Sequence, residues 1–221
     1  MHQIQLQEIL RPFLPLLPWF GLLLLFGLFL RWLKSPEVKG RIGEWAVSKG
    51  ALRKLDPQIY RIFEDLYVPK SKGEEFAQID HVVLSEFGIF VIETKNYGGW
   101  IFGDADSYKW TQTFPGKKTR FYNPLRQNAV HVRALQQLLD LPDDVFHSVV
   151  YFIGDSEFKT PMPDNVIRKG LRKYIERRRE KLLSPEQFAE AERRMVTLGN
   201  GQDKKAVQRQ HIRNCEQRKA A

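Results

Sequence analysis

The chain has a single cysteine among its 221 residues, Cys215, so no intrachain disulfide can form. No Cys/His grouping has the spacing of a structural zinc site either. Neither kind of staple is available, and the chain reads as facing the cytosol. No internal repeat is visible. The length suits one core of about 100 to 150 residues with appendages.

Residues 1–167 lack a charge excess, because 19 basic side chains are balanced by 19 acidic ones. The net charge of +9 comes entirely from residues 168–221, which hold 16 Lys/Arg against 7 Asp/Glu. Such a stretch either attracts phosphate backbones or anionic lipid headgroups, or is simply a solvated helical tail.

Charge is wholly missing from 12–30, nineteen residues reading PFLPLLPWFGLLLLFGLFL. At about 1.5 Å per residue this run just crosses a hydrocarbon core of roughly 30 Å. Pro12, Pro15 and Pro18 weaken its first half, so the well-formed helix is expected from about Pro18, with Trp19 and Trp32 at the interfaces. Arg31, Lys34, Lys39 and Arg41 follow the run while only Arg11 precedes it. No small-x-small cleavage pattern intervenes. The expectation is a single N-terminal transmembrane helix within an anchor at 1–34, in the cell membrane as a single-pass protein with its C-terminal domain cytoplasmic.

Beyond the anchor, 37–55 has helical spacing of Val38, Ile42, Trp45 and Ala46, with Glu44 beside the apolar stripe. The run 60–68 alternates as a strand, and 70–75 is a polar loop. Residues 77–95, AQIDHVVLSEFGIFVIETK, read as two strands joined at Ser85-Glu86-Phe87-Gly88. A four-residue loop without a bulge pairs Leu84 with Ile89 and sets Asp80 opposite Glu93, with Lys95 on the same sheet face. The rest of the hairpin is apolar on both faces: Val82, Leu84, Ile89 and Val91 on one, Ile79, Val83, Phe90 and Ile92 on the other. Such strands belong in the middle of a sheet covered by helices on each side. Opposed carboxylates near that core repel and lose hydration, and a hard divalent cation relieves both problems.

Short strands are expected at 100–103 and 108–113, with a basic, turn-like stretch at 114–120 containing Lys117, Lys118 and Arg120. Asn123-Pro124 supplies a cap and a first-turn proline for a helix to about Leu139, with Leu125, Ala129, Val132, Leu135, Leu138 and Leu139 inward. A buried strand follows at 146–153. Residues 161–198 read as a basic helical extension, helical over 168–183 and again after Ser184-Pro185-Glu186-Gln187, which has capping-box spacing. A polar tail, 199–221, is expected to be disordered.

These residues carry a family resemblance. Gly40-Arg-Ile-Gly-Glu44, Gln78-Ile-Asp-His-Val-Val-Leu84, Gly88-Ile-Phe-Val-Ile-Glu-Thr-Lys-Asn-Tyr97 and Asn123-Pro124 with Gln127 and His131 resemble the NERD (nuclease-related) domain, over roughly 38–155. The resemblance implies an α/β, restriction-endonuclease-like mixed sheet flanked by helices, of the PD-(D/E)xK superfamily, within 36–160. It implies that Glu44, Asp80, Glu93 and Lys95 occupy the acidic and lysine positions of a nuclease site, and that Gln127 matches an auxiliary glutamine. Asp80, Glu93, the Thr94 carbonyl and Glu44 would then hold Mg²⁺ or Mn²⁺, with Lys95 orienting water or neutralising charge on the phosphate. The expected partner is nucleic acid, DNA before RNA, and the oligomeric state is open.

Each residue has a plainer reading. Asp80, Glu93 and Lys95 would make a structural ion cluster, Glu44 a solvated glutamate, and Gln127 a cap or sheet-edge partner. His81 points away from Asp80 in the alternation and reads as a core histidine. His131, one turn after Gln127, either lines the site or packs. Tyr97, Trp100 and Trp110 either stack on bases or fill the core. A metal-dependent nuclease at the membrane is the leading reading. A catalytically silent NERD-fold scaffold, or a lipid-binding protein using its basic tail, are the rivals.

Overall fold

The computed structural model describes residues 17–33, 43, 47, 50–70, 75–201, 208–210 and 213–214. The chain divides into two compact units, Met1–Ile42 and Gly43–Ala221.

The described part of the first unit is helix α1, Leu17–Leu33. Its large apolar side chains from Trp19 to Leu30 are exposed. The transmembrane span expected at 12–30 is not supported by the described residues, which begin at Leu17. Seventeen residues rise about 25 Å, and among the described residues no helix is long and apolar enough to cross a membrane.

Among the described residues, the second unit contains two mixed sheets. One has five strands in the order β1 (Arg61–Pro69), β2 (Phe76–Ser85), β3 (Gly88–Lys95), β7 (Phe146–Phe152), β9 (Val166–Ile167). Strands β1, β2 and β3 run antiparallel in succession, while β3, β7 and β9 are parallel. The other sheet has the order β6 (Lys117–Tyr122), β5 (Lys109–Phe114), β4 (Gly99–Phe102), β8 (Ser156–Phe158). Sequence reasoning foresaw one sheet. It missed β8 and β9, which are three and two residues long and too short for any periodicity. It also read Lys117–Arg120 as loop, whereas Pro115-Gly116 makes a tight turn and β6 pairs along β5.

The apolar hairpin lies where its two greasy faces require. Leu84 pairs with Ile89 as expected, and Ser85 with Gly88 closes the loop to Glu86-Phe87. Gly88, at φ +116, has a backbone open to glycine, and a Cβ there would meet the Val145 carbonyl at 2.7 Å. On one face Val82, Leu84, Ile89 and Val91 pack with Val132, Leu135 and Leu139 of α2 (Pro124–Leu139) and with Ala191 and Met195 of α4 (Pro185–Gly201). On the other, Val83, Phe90 and Ile92 pack with Val47, Leu52, Leu55 and with Leu171 and Ile175 of α3 (Leu171–Glu176).

The C-terminal region is less helical than its composition suggests. Of 168–183 only α3 is helical, because Gly170 enters a left-handed turn at φ 74 and the backbone N–H groups of Leu182 and Leu183 both donate to the Glu86 carbonyl. The capping box forms: Ser184 Oγ accepts from Gln187 N, and Gln187 Oε1 accepts from Ser184 N. Helix α4 runs to Gly201, past the expected start of disorder at 199, while most of 199–221 lies outside the described residues.

Candidate active site

The site is built where β2 and β3 part company. Their ladder ends at His81 and Ile92, one pair short of Asp80 and Glu93. On the other side, β1 pairs with β2 on both sides of Asp80 but skips the pair of Asp65 and Asp80, and Asp65 takes a left-handed backbone at φ 53. Asp80 therefore stands at a break in both ladders. The same kink shifts the facing of β2, so that Ile79 buries with Val82 in one core instead of opposite it. Sequence alternation placed Ile79 on the other face, since strict period-two reasoning has no kink in it.

Freed from the ladder, the Asp80 carboxylate accepts the Thr94 backbone N–H at 2.8 Å. Glu93 points into the space beside α2 and is buried, 2% exposed. Its Oε1 accepts from Lys95 Nζ at 2.5 Å, and Lys95 Nζ also donates to Gln127 Oε1 at 3.0 Å. Glu93 Oε2 lies 3.3 Å from His131 Nδ1. The helix position of Gln127 and His131, four residues apart on one face, thus faces the strand positions of Glu93 and Lys95, two residues apart on one face.

Burial pulls the Lys95 ammonium down, but the Glu93 and Asp80 carboxylates outweigh it and hold its pKa above the ordinary lysine value. The two carboxylates thus favour the ammonium form of Lys95, which can act as a charge or a hydrogen-bond donor.

Two further residues set this geometry: Asn128, which carried no signal in the motif reading, and Asn123, already legible as the cap of α2. Asn128, fully buried on α2, donates through Nδ2 to Val91 O (2.9 Å), Ser148 Oγ (2.9 Å) and Val149 O (3.2 Å), tying the helix across β3 and β7. A polar residue within an apolar helical stripe was the available clue, and the inward face was instead drawn through Ala129. Asn123 caps α2 by accepting from Leu125 N, and its Nδ2 donates to the carbonyls of Asp104, Ala105 and Ser107, fixing the loop before β5.

Glu44 lies outside the described residues; the neighbouring Gly43 packs so closely that a Cβ would fall 2.5 Å from Ile153 Cδ1 and 2.9 Å from Asn96 Cβ. The Thr94 hydroxyl is buried without a hydrogen bond among the described residues. His81 is buried. Among the described residues no group of three or more His, Cys, Asp and Glu side chains is arranged to hold a metal ion. Asp80 and Glu93 are two carboxylates, and Mg²⁺ takes one or two with water and phosphate oxygens completing its shell. Glu93 Oε2, buried beside His131 Nδ1 and without a hydrogen bond among the described residues, suits a metal ligand.

Comparison with known proteins places the chain in a family. A Bacillus anthracis protein described as uncharacterized is 44% identical over 105 residues, covering 48% of this chain and 49% of that protein. The chain thus spans about half the length of the curated relative it matches. No solved structure matches it significantly. The family model of the nuclease-related domain, NERD, matches residues 39–153. That stretch contains Asp80, Glu93, Lys95, Gln127 and His131, and with more than half of the sequence matched, the chain belongs to the nuclease-related domain family.

Proposed function

We propose that this protein hydrolyses phosphodiester bonds in nucleic acid, DNA before RNA, with Mg²⁺ or Mn²⁺ at Asp80 and Glu93, the Thr94 carbonyl and Glu44 completing the protein's donors. The observation that carries this reading is the Lys95 ammonium, held by Glu93 and Gln127 within the field of Asp80. When bound, the metal supplies Lewis-acid polarisation of the phosphate and acidifies water. Hydrolysis joins a water oxygen to phosphorus as the bond to one sugar oxygen breaks, with a water proton ending on that oxygen. Lys95 stabilises the negative charge that gathers on the phosphate during this exchange. Gln127 and Glu93 hold its Nζ so that little reorganisation is needed, and the Thr94 N–H fixes the Asp80 carboxylate.

The exposed apolar surface of α1 supports a second part of the proposal, association of the N-terminal region with a cell membrane, with the nuclease-related domain on the cytoplasmic side. The Arg and Lys residues of 168–221 add attraction for phosphate or anionic lipid.

The test is cleavage of plasmid, linear duplex and single-stranded substrates by the full chain, with Mg²⁺, Mn²⁺ or chelator. Wild type should cleave only with metal, and Asp80→Ala and Lys95→Ala should each lose at least about a hundredfold in rate, the scale of one electrostatic group at the transition state. Equal activity of wild type and both variants would sink the assignment. Nucleic-acid binding without any cleavage by wild type would favour the scaffold reading.

A further inference from the structure

The second sheet has an outward face that the candidate active site does not use. On β4, Trp100 and Phe102 point outward, 49% and 37% exposed, while Ile101 between them is buried. Their ladder partners on β5 are Thr113 and Thr111, side chains too small to cover a ring. Those threonines pair in turn with Lys118 and Arg120 on β6, and Lys109 pairs with Tyr122. Directly opposed residues share a face, so one surface presents Trp100, Phe102 and Tyr122 together with Lys109, Lys118 and Arg120. Glu157, opposite Trp100 on β8, is the acidic member, and it is paired with Lys159 at 2.6 Å.

From this juxtaposition we propose that the outer face of the β4-β5-β6 sheet binds single-stranded nucleic acid, with bases on Trp100 and Phe102 and phosphates at Lys118 and Arg120. Exposed rings on a sheet give sequence-tolerant stacking, and the cations supply the charge complementarity. Trp100 and Phe102 are two residues apart, roughly 6.6 Å along the strand, about twice the 3.4 Å rise per strand of B-form DNA. A single strand can spread its bases to that spacing, and a stacked duplex cannot. Lys118 and Arg120 lie two strand spacings from the rings, roughly 10 Å, a gap that their long side chains can narrow toward the backbone of a strand stacked there. Lys159 Nζ stands 5.0 Å from the Trp100 ring centroid; a stacking base takes its place there and the ammonium turns to phosphate.

Chain connectivity joins this face to the catalytic strand. Lys95 ends β3, Gly99 begins β4, and Gln112 Nε2 of β5 donates to the Gly98 carbonyl between them. The inference rests on the nuclease reading for its biological sense, but stands or falls separately, because binding can be measured without metal.

The experiment is fluorescence anisotropy of a labelled 15-nucleotide single strand and a 15-base-pair duplex with the full chain in chelator. The single strand should bind more tightly. Trp100→Ala and Phe102→Ala should each weaken it by roughly tenfold, and Trp100→Phe should retain most of the affinity. Lys118→Ala and Arg120→Ala should each lower the slope of log K against log salt by about 0.7. Unchanged single-strand affinity in both ring variants, with thermal melts matching wild type, would overturn the proposal, as would tighter binding of the duplex. Ring-dependent binding with no metal-dependent cleavage would leave this surface standing without the nuclease reading, and cleavage with ring-independent binding would do the reverse.

Discussion

Lys95 Nζ lies 2.5 Å from Glu93 Oε1, and the two are neighbours on one strand face, both largely withdrawn from water. Two residues apart on β3, they satisfy each other locally, while Gln127 from α2 takes a second hydrogen of the ammonium. Removing one partner strands the other. Lys95→Met should cost about 3 kcal/mol in urea unfolding, the scale for leaving one member of a buried pair alone. Adding Glu93→Gln should recover most of that loss, since the uncompensated carboxylate is then gone. A double variant no more stable than Lys95→Met would show that the pair is not coupled.

The same cation predicts an alkaline limb. An unfolded lysine loses its proton near 10.5, and Lys95 in the fold holds its proton beyond that value. Its contribution is complete below about pH 10.5 and is lost as pH rises through the higher folded value. Chemical denaturation across pH 9 to 12 should therefore show a loss in wild type that is missing from the Lys95→Met variant.

Asn128 should matter more than its distance from the chemistry suggests. Asn128→Leu removes the two Nδ2 hydrogens that Val91 O, Ser148 Oγ and Val149 O share. The expected cost is about 2 to 3 kcal/mol, with a fall in kcat from the altered placement of Gln127 and His131. A stability loss with kcat unchanged would confine Asn128 to packing.

His147 shapes the acid limb. Its Nε2 lies 3.0 Å from Phe87 O, and because a carbonyl only accepts, Nε2 carries the proton of the neutral ring. Burial lowers its pKa below the usual 6.5, the Phe87 carbonyl opposes this, and Arg178 adds to it. The unfolded chain then takes up a proton first, so stability is complete above about pH 6.5 and falls as pH drops below it. His147→Gln should flatten that part of the profile in thermal melts from pH 7.5 to 4.5, and an unchanged slope would assign it to other groups.

Much of the hairpin and of α2 was written in local order. Leu84 with Ile89, the two apolar faces, the Asn123 cap, the Pro124 start and the capping box at Ser184 all depend on neighbours within a few residues, and period and cap chemistry are local properties. Glu93 and Lys95 share a face for the same reason: side chains repeat every two residues along a strand. What no local pattern contains is the break at Asp80. It needs Asp65 on another strand in a left-handed backbone and a ladder that stops at His81 and Ile92. The second sheet is likewise a tertiary outcome, since two- and three-residue strands acquire their hydrogen bonds only from partners far along the chain. It alone decided that Trp110 is core and Trp100 is surface. The candidate site residues Asp80, Glu93, Lys95 and Gln127 could thus be singled out from the sequence. Bringing Lys95 to Gln127, and His131 to Glu93, required α2 to dock across β3 and β7, and docking is set by long-range packing that local sequence does not encode.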